Sequence, residues 1–124
     1  DAAAYGPKRE PDLKVRAYRF CVSLLKWASS VERGRISDVV MQQLVRAGAS
    51  VGANIVEAKA GSSRRDFTRY LEIALKSANE TRFWLCLTRD AGIAERDQVA
   101  TLVAEMKEIA KMLGASILTL KGKR

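Results

Sequence analysis

The sequence predicts an all-α protein, an up-down-up-down antiparallel bundle of four helices in one domain. Along four segments the apolar residues recur in alternating steps of three and four, the spacing of helices that pack nearly parallel to one another. The breaks between these segments are short, so each helix is expected to run antiparallel to the one before it. Nowhere does the sequence show the alternation of apolar and polar residues that marks a β-strand. Its 124 residues are enough for one domain with its own core.

The first helix is predicted over about residues 12–32, after a segment 1–11 that we expect to be flexible. Asp12 follows a proline and is of a residue type that caps helix N-termini, so we place it as the N-cap. The apolar seam of this helix consists of Leu13, Ala17, Phe20, Leu24, Trp27 and Val31. Its spacing fits one continuous helix face.

The second helix is predicted over about residues 37–60, with Ser37 as its N-cap and Gly61 at its end. Its seam consists of Val40, Leu44, Ala47, Val51, Asn54 and Ala58. Gly48 and Gly52 lie in the middle of this helix and form no phosphate-binding loop. We therefore expect them to let a neighbouring helix approach closely.

The third and fourth helices are predicted over about residues 63–90 and 95–120. Ser63, followed by Asp66 three residues later, resembles a capping box at the start of the third helix. The third seam consists of Phe67, Leu71, Ala74, Ala78, Thr81, Leu85 and Thr88. The fourth consists of Val99, Leu102, Met106, Ile109, Leu113, Ser116 and Leu120. A basic tail, 121–124, follows.

The chain is basic, with 22 Lys and Arg against 14 Asp and Glu, a formal charge of +8. The segment 1–11 is balanced and the last four residues contribute +3, which leaves +5 on the predicted bundle, residues 12–120. This balance favours encounter with polyanions such as nucleic acid. It also fits a protein whose charge only maintains solubility.

The composition argues against catalysis and for a cytoplasmic protein. Without histidine there is no Ser-His-Asp or Cys-His nucleophile and no His-ligated metal, so we expect no enzyme, no metal and no cofactor. Cys21 and Cys86 fit buried thiols in a reducing compartment, with a disulfide between them as the less favoured alternative. The longest apolar run, residues 83–87, is too short to span a bilayer. The sequence pattern also shows no strongly apolar outward face of the kind that binds a membrane surface, so we expect no membrane partner.

Three polar residues lie on or beside the predicted seams: Asn54, Glu57 and Glu80. They fit a polar network with Arg or Lys inside the bundle or between copies, because a buried Asn in a seam can fix helix alignment or oligomeric state. Alternatively, they lie at the margin of the seams and meet water. They lack the Glu-x-x-His spacing of di-iron bundles.

Basic residues recur on the third helix and, more sparsely, on the first. The candidates for nucleic-acid or partner binding are Arg64, Arg65, Arg69, Lys76, Arg82, Arg16 and Arg19. Glu72 shares the face of the third-helix cations, so a solvated, ion-paired surface is the alternative interpretation. Arg82 adjoins Phe83 and Trp84, a cluster that suits phosphate contact with base stacking, or a protein interface anchored by Arg and Trp.

Two stretches resemble a known family. Residues 50–57, SVGANIVE, resemble the signature second helix of the small bundle proteins encoded in intervening sequences of bacterial 23S rRNA genes, also labelled S23 ribosomal proteins. Residues 63–80 resemble the third helix of the same family, and the likeness extends over about 12–120. Within the family, residues 79–85, NETRFWL, are most similar to the accessory variability determinant of diversity-generating retroelements.

That resemblance implies a homopentameric ring that binds RNA or DNA, mostly without regard to sequence, and a reverse transcriptase during mutagenic retrohoming. It also implies a binding role for Arg82. The alternative is a protein-interaction or structural bundle of the intervening-sequence type without a direct role on nucleic acid. Salt-sensitive binding would favour the first hypothesis and binding to a protein partner after nuclease treatment the second.

Overall fold

The computed structural model describes residues 12–61 and 63–122 and confirms an all-α four-helix bundle. The helices are α1 (Leu13–Ser30), α2 (Arg35–Ala60), α3 (Arg64–Asp90) and α4 (Arg96–Leu120). Helix α2 packs against α1 and α3, and α4 packs against α3 and α1, so the helices follow one another around the bundle. The predicted segment 1–11 and the last two residues of the predicted tail lie outside the described residues.

Side chains cap two of the helices at the positions that the sequence predicts. The Asp12 carboxylate accepts the Val15 N–H at 2.9 Å, and the Ser63 hydroxyl accepts the Asp66 N–H at 3.0 Å. Each bond satisfies one of the amide groups that a helix N-terminus leaves without an intrahelical partner.

The prediction of Ser37 as a cap is wrong. Helix α2 begins at Arg35, two residues before Ser37, and Gly34 is its N-cap. The Asp38 carboxylate accepts bonds from the Arg33 guanidinium at 2.8 and 2.9 Å and a long bond from the Gly34 N–H at 3.4 Å. Because Asp38 organises this turn, the Ser37 hydroxyl instead donates to backbone carbonyls that precede the helix.

Each helix contributes fully buried side chains to one core. Leu24, Leu44, Leu85 and Leu113, one from each helix, are at most 1% exposed. Burying a leucine of this size stabilises a fold by roughly 1.5–3 kcal/mol, so the seams account for the cohesion of the bundle. The two polar residues of the buried set are threonines of α3, whose hydroxyls donate to carbonyls four residues earlier in the same helix.

Helices α1 and α2 approach closely where glycine removes a side chain. A Cβ at Gly48 would lie 2.3 Å from Cδ2 of Leu24, and one at Gly52 would lie 3.2 Å from the Cys21 sulfur. The Cys21 thiol also donates to the Gly48 carbonyl at 3.4 Å. This confirms the expectation that the two glycines permit close helix packing.

Within residues 12–61 and 63–122, no helix combines the length and hydropathy that a membrane crossing requires.

Candidate nucleic-acid interface

Three cations form an exposed stripe on the outer face of α3. Arg65, Arg69 and Lys76 are separated by four and seven residues, which places them on one face of the helix. All three are exposed, and none makes an ion pair with another described residue. The Arg69 guanidinium lies 5.9 Å from the centre of the Tyr70 ring, a weak cation–π contact that leaves its charge unneutralised. We call these residues the cationic stripe; along the helix axis it spans about 16 Å.

Glu72, which the sequence places beside this stripe, is bound by a lysine at the C-terminal end of α4. Its carboxylate forms an ion pair with Lys121 at 2.5 Å, immediately after α4. The last acidic residue of the helix, Asp90, accepts two bonds from Arg89, which lower the pKa of the Asp90 carboxyl. Acidic groups of α3 are therefore engaged within the bundle, while the cationic stripe is left facing solvent.

Glu80 is engaged on the opposite flank of α3. Its carboxylate accepts the indole N–H of Trp84 at 2.9 Å and is bound by the guanidinium of Arg46 from α2. The Trp84 bond is the main reason that the pKa of the Glu80 carboxyl lies below its usual value, and Arg46 lowers it further. This contact joins α2 to α3 at the outer edge of their interface.

The flank of α3 that faces α4 carries Arg64 and Arg82. Arg64 donates to the Leu120 carbonyl at 3.1 Å, so its charge lies at the negative end of the α4 helix dipole. Arg82 is half-buried, and its Nε atom is buried without a hydrogen-bond partner among the described residues. The Arg82 guanidinium makes no ion pair with another described residue, so its charge is not neutralised within the described part of the bundle.

The structure directs Arg82 away from Phe83 and Trp84, with which the sequence presents it as one cluster. Successive residues of an α-helix point about 100° apart, so the three side chains leave α3 in different directions. Arg82 faces α4, Trp84 turns towards Glu80 and α2, and Phe83 points outwards and is 58% exposed. The Phe83 and Trp84 rings meet edge to face, with centroids 5.2 Å apart.

The two candidates on α1 do not join the cationic stripe. The guanidinium of Arg16 donates to both oxygens of Glu105 on α4, at 2.8 and 3.0 Å, and its side chain is only 20% exposed. Arg19 is exposed and without an ion-pair partner in the described part of the chain. Because α1 packs against α2 and α4, both residues lie away from the outer face of α3.

The polar residues of the seams make two separate contacts between α2 and α3. The Asn54 amide donates to the Ser50 carbonyl at 2.8 Å and to the Ser50 hydroxyl at 3.0 Å, and that hydroxyl lies 2.8 Å from the Ser77 hydroxyl. Glu80 makes the second contact, described above. Glu57 is exposed and has no hydrogen bond or ion pair within the described residues.

Sequence reasoning missed the contribution of α4 to this basic surface. Lys107 and Lys111 are exposed one turn apart on α4, and Lys107 precedes Lys121, the partner of Glu72 on α3, by two heptads, which places Lys107 on the flank of α4 towards α3. Within the described part of the chain, the ion-pair partner of Lys111 is Glu108, at 3.8 Å. The heptad spacing of lysines was the available signal. The α3–α4 face therefore combines the cationic stripe with Arg82, Lys107 and Lys111.

The opposite pair of helices presents an apolar surface. Tyr18 and Leu25 on α1 are 70% and 52% exposed, and Val56 on α2 is 47% exposed. Between these helices runs an open groove of about 520 Å³, lined by Leu25, Ala28, Met41 and Val45, among other side chains. The Arg33–Asp38 ion pair lies at its rim. Patches of this kind on a small protein commonly mark contacts with other proteins.

Neither cysteine forms a disulfide; both are free thiols. Burial raises the pKa of the Cys21 thiol, which disfavours its reactive thiolate. Among the described residues, no three acidic or cysteine side chains come together in a group that could hold a metal ion.

Comparison with known proteins agrees with this architecture. Residues 10–115 match the sequence profile of the family described as 23S rRNA-intervening sequence protein. A crystal structure of a protein with unknown function from the S23 ribosomal protein family of Bacteroides thetaiotaomicron superposes with a TM-score of 0.78. The two chains are 34% identical over 86% of this chain and 98% of the other. No curated protein matches the chain significantly in sequence.

Proposed function

The chain belongs to the 23S rRNA-intervening sequence protein family, and from this premise we propose that it is a non-enzymatic adaptor that binds nucleic acid through its α3–α4 face. One observation carries the proposal. The carboxylates of Glu72, Glu80 and Asp90 on α3 are bound by cations of the same chain, whereas Arg65, Arg69 and Lys76 are exposed and have no ion-pair partner among the described residues. Such a surface attracts phosphates without reading bases, so binding is sequence-independent and depends on salt.

The test is a titration of labelled RNA and DNA over a series of salt concentrations. Each neutralised phosphate contributes about −0.7 to −0.9 to the slope of log affinity against log salt, so several contacts give steep dependence. The charge reversal Lys76→Glu should weaken binding, and Lys26→Glu on α1 makes the same charge change away from the proposed face. Absent binding at low salt, or equal losses in the two variants, would contradict the proposal.

Arg82 is the residue of the face that we expect to bind phosphate from a half-buried position. Arg82→Glu replaces a cation that makes no ion pair with another described residue by an anion, so affinity should fall while circular dichroism stays helical. Arg19→Glu on α1 is the matched control because Arg19, too, has no ion-pair partner among the described residues. Unchanged affinity in the folded Arg82→Glu protein would remove this residue from the site.

We further propose that the protein serves a reverse transcriptase in mutagenic retrohoming. The support is the resemblance of residues 79–85 to the accessory determinants of diversity-generating retroelements. A reverse transcriptase gene beside paired template and variable repeats would agree with this role. A location inside a 23S rRNA gene would favour the alternative, a protein-interaction bundle whose partner binds equally well after nuclease treatment.

A homopentameric ring is the proposed assembly. The apolar surface of α1 and α2, which no other described residue covers, supports self-association, since Tyr18, Leu25 and Val56 would gain burial against another chain. A ring would also concentrate the positive field of its copies. Light scattering should give about five times the 13.7 kDa of one chain. Leu25→Glu should lower that mass, whereas Leu118→Glu on exposed α4 should not.

A further inference from the structure

Phe83 is an exposed aromatic side chain with a fixed support. Phe83 is 58% exposed, and its ring lies edge to face with Trp84, with an angle of 75° between the two planes. Trp84 is in turn held by its bond to Glu80, which Arg46 also binds. An aromatic side chain that is supported by a second ring and is more than half exposed offers a surface on which another flat ring can stack.

Phe83 also continues the line of the cationic stripe. It follows Lys76 by seven residues and Arg65 by eighteen, so all lie on one outward face of α3. From Arg65 to Phe83 this line is about 27 Å long. Proteins that bind single strands combine cations that follow the backbone with aromatic rings that stack on bases. A duplex offers phosphates to the same cations, but its bases are already stacked on one another.

We propose that single-stranded nucleic acid lies along this line, with a base stacked on Phe83 and phosphates against Lys76, Arg69 and Arg65. The inference rests on the proposed nucleic-acid-binding function and specifies its substrate. Stacking gives the protein a preference for unpaired over paired strands, and every base has a face that can stack, so the preference is independent of sequence.

The experiment compares binding of fluorescently labelled oligo-U, oligo-dT and a blunt duplex with the same number of phosphates. Phe83→Leu keeps an apolar side chain but removes the aromatic face, and Phe83→Trp keeps a face. Phe83→Leu should weaken binding of both single strands about five- to a hundredfold, the range for loss of one stacked base, and leave duplex binding unchanged. Phe83→Trp should retain single-strand affinity.

The salt series separates the two proposals. Phe83→Leu should leave the slope of log affinity against log salt unchanged, whereas Lys76→Gln should reduce it by about 0.7. If wild type binds with steep salt dependence and Phe83→Leu has no effect, the stacking inference fails and the proposed function stands. If wild type binds none of the three probes, the proposed function itself fails. A change in oligomeric mass in Phe83→Leu, with single-strand affinity intact, would assign Phe83 to a protein contact and overturn the inference.

Discussion

The close approach of α1 and α2 at Gly48 predicts a large response to one added methyl group. In Gly48→Ala the new Cβ would lie 2.3 Å from Cδ2 of Leu24 and 3.6 Å from the ring of Phe20. The Leu24 methyl is the end of a flexible side chain, but Leu24 is 1% exposed and its surroundings are packed. The substitution must therefore move Leu24 within the core or push the two helices apart.

The expected magnitude follows from two opposing effects. Overpacking a dense core costs about 1–3 kcal/mol, whereas replacing glycine by alanine inside a helix gains up to about 1 kcal/mol. Gly114→Ala is the matched control, because a Cβ at Gly114 in α4 meets nothing within 4 Å and only the gain should remain. The free energy of unfolding of Gly48→Ala should thus lie about 1–3 kcal/mol below that of Gly114→Ala.

Denaturant unfolding followed by circular dichroism measures this difference, at one protein concentration because self-association adds to stability. In a Leu24→Ala background the methyl that causes the clash is absent, so Gly48→Ala should there cost little or become stabilising. Equal unfolding midpoints for Gly48→Ala and Gly114→Ala would refute the interpretation of Gly48 as a packing glycine. So would an undiminished penalty in the Leu24→Ala background.

Two further predictions concern ionisable groups. The pKa of Glu80 lies below its ordinary value of 4.5, so its contribution to stability is present above pH 4.5 and is lost as pH falls through the lower value of the folded state. Trp84→Phe removes the main cause, so carboxyl titration by NMR should show the Glu80 pKa rising, and an unmoved pKa would contradict this assignment. Burial raises the pKa of Cys21 above its ordinary 9.0, so in a Cys86→Ser protein a thiol reagent should react with Cys21 more slowly than with free cysteine. Unfolding should restore the rate, whereas rapid labelling of the folded protein would show that the thiol is accessible.

The sequence was sufficient for the fold because the seams are a one-dimensional signal. Leu24 and Leu85 are buried where the steps of three and four place them, and Gly48 packs as its position in the helix indicates. The start of α2 was misplaced by two residues because it depends on Asp38 bridging Arg33 and Gly34 across a turn. The general preference for serine at N-caps does not reveal that Asp38 would organise the turn and start the helix earlier.

The candidate surface could be predicted only in part, because the charge on a face depends on which partners neutralise it. Arg65 and Arg69 are exposed as the helix periodicity implies. Whether Glu72 would neutralise the positive charge of these arginines depended on Lys121, which lies forty-nine residues away in the chain and binds Glu72 instead. Likewise, nothing local to Arg16 indicated that Glu105 would bind it across the α1–α4 interface.

The hydroxyl contact between Ser50 and Ser77 has a consequence for the surface as a whole, because it fixes the register of α3 on α2. Sliding α3 by one turn, about 5.4 Å, would separate the two hydroxyls and draw Glu80 away from Arg46 at the same time. The cationic stripe is thereby held at one height relative to the apolar groove between α1 and α2. Chains that associate through that groove around a closed ring would carry their stripes at a common level around it.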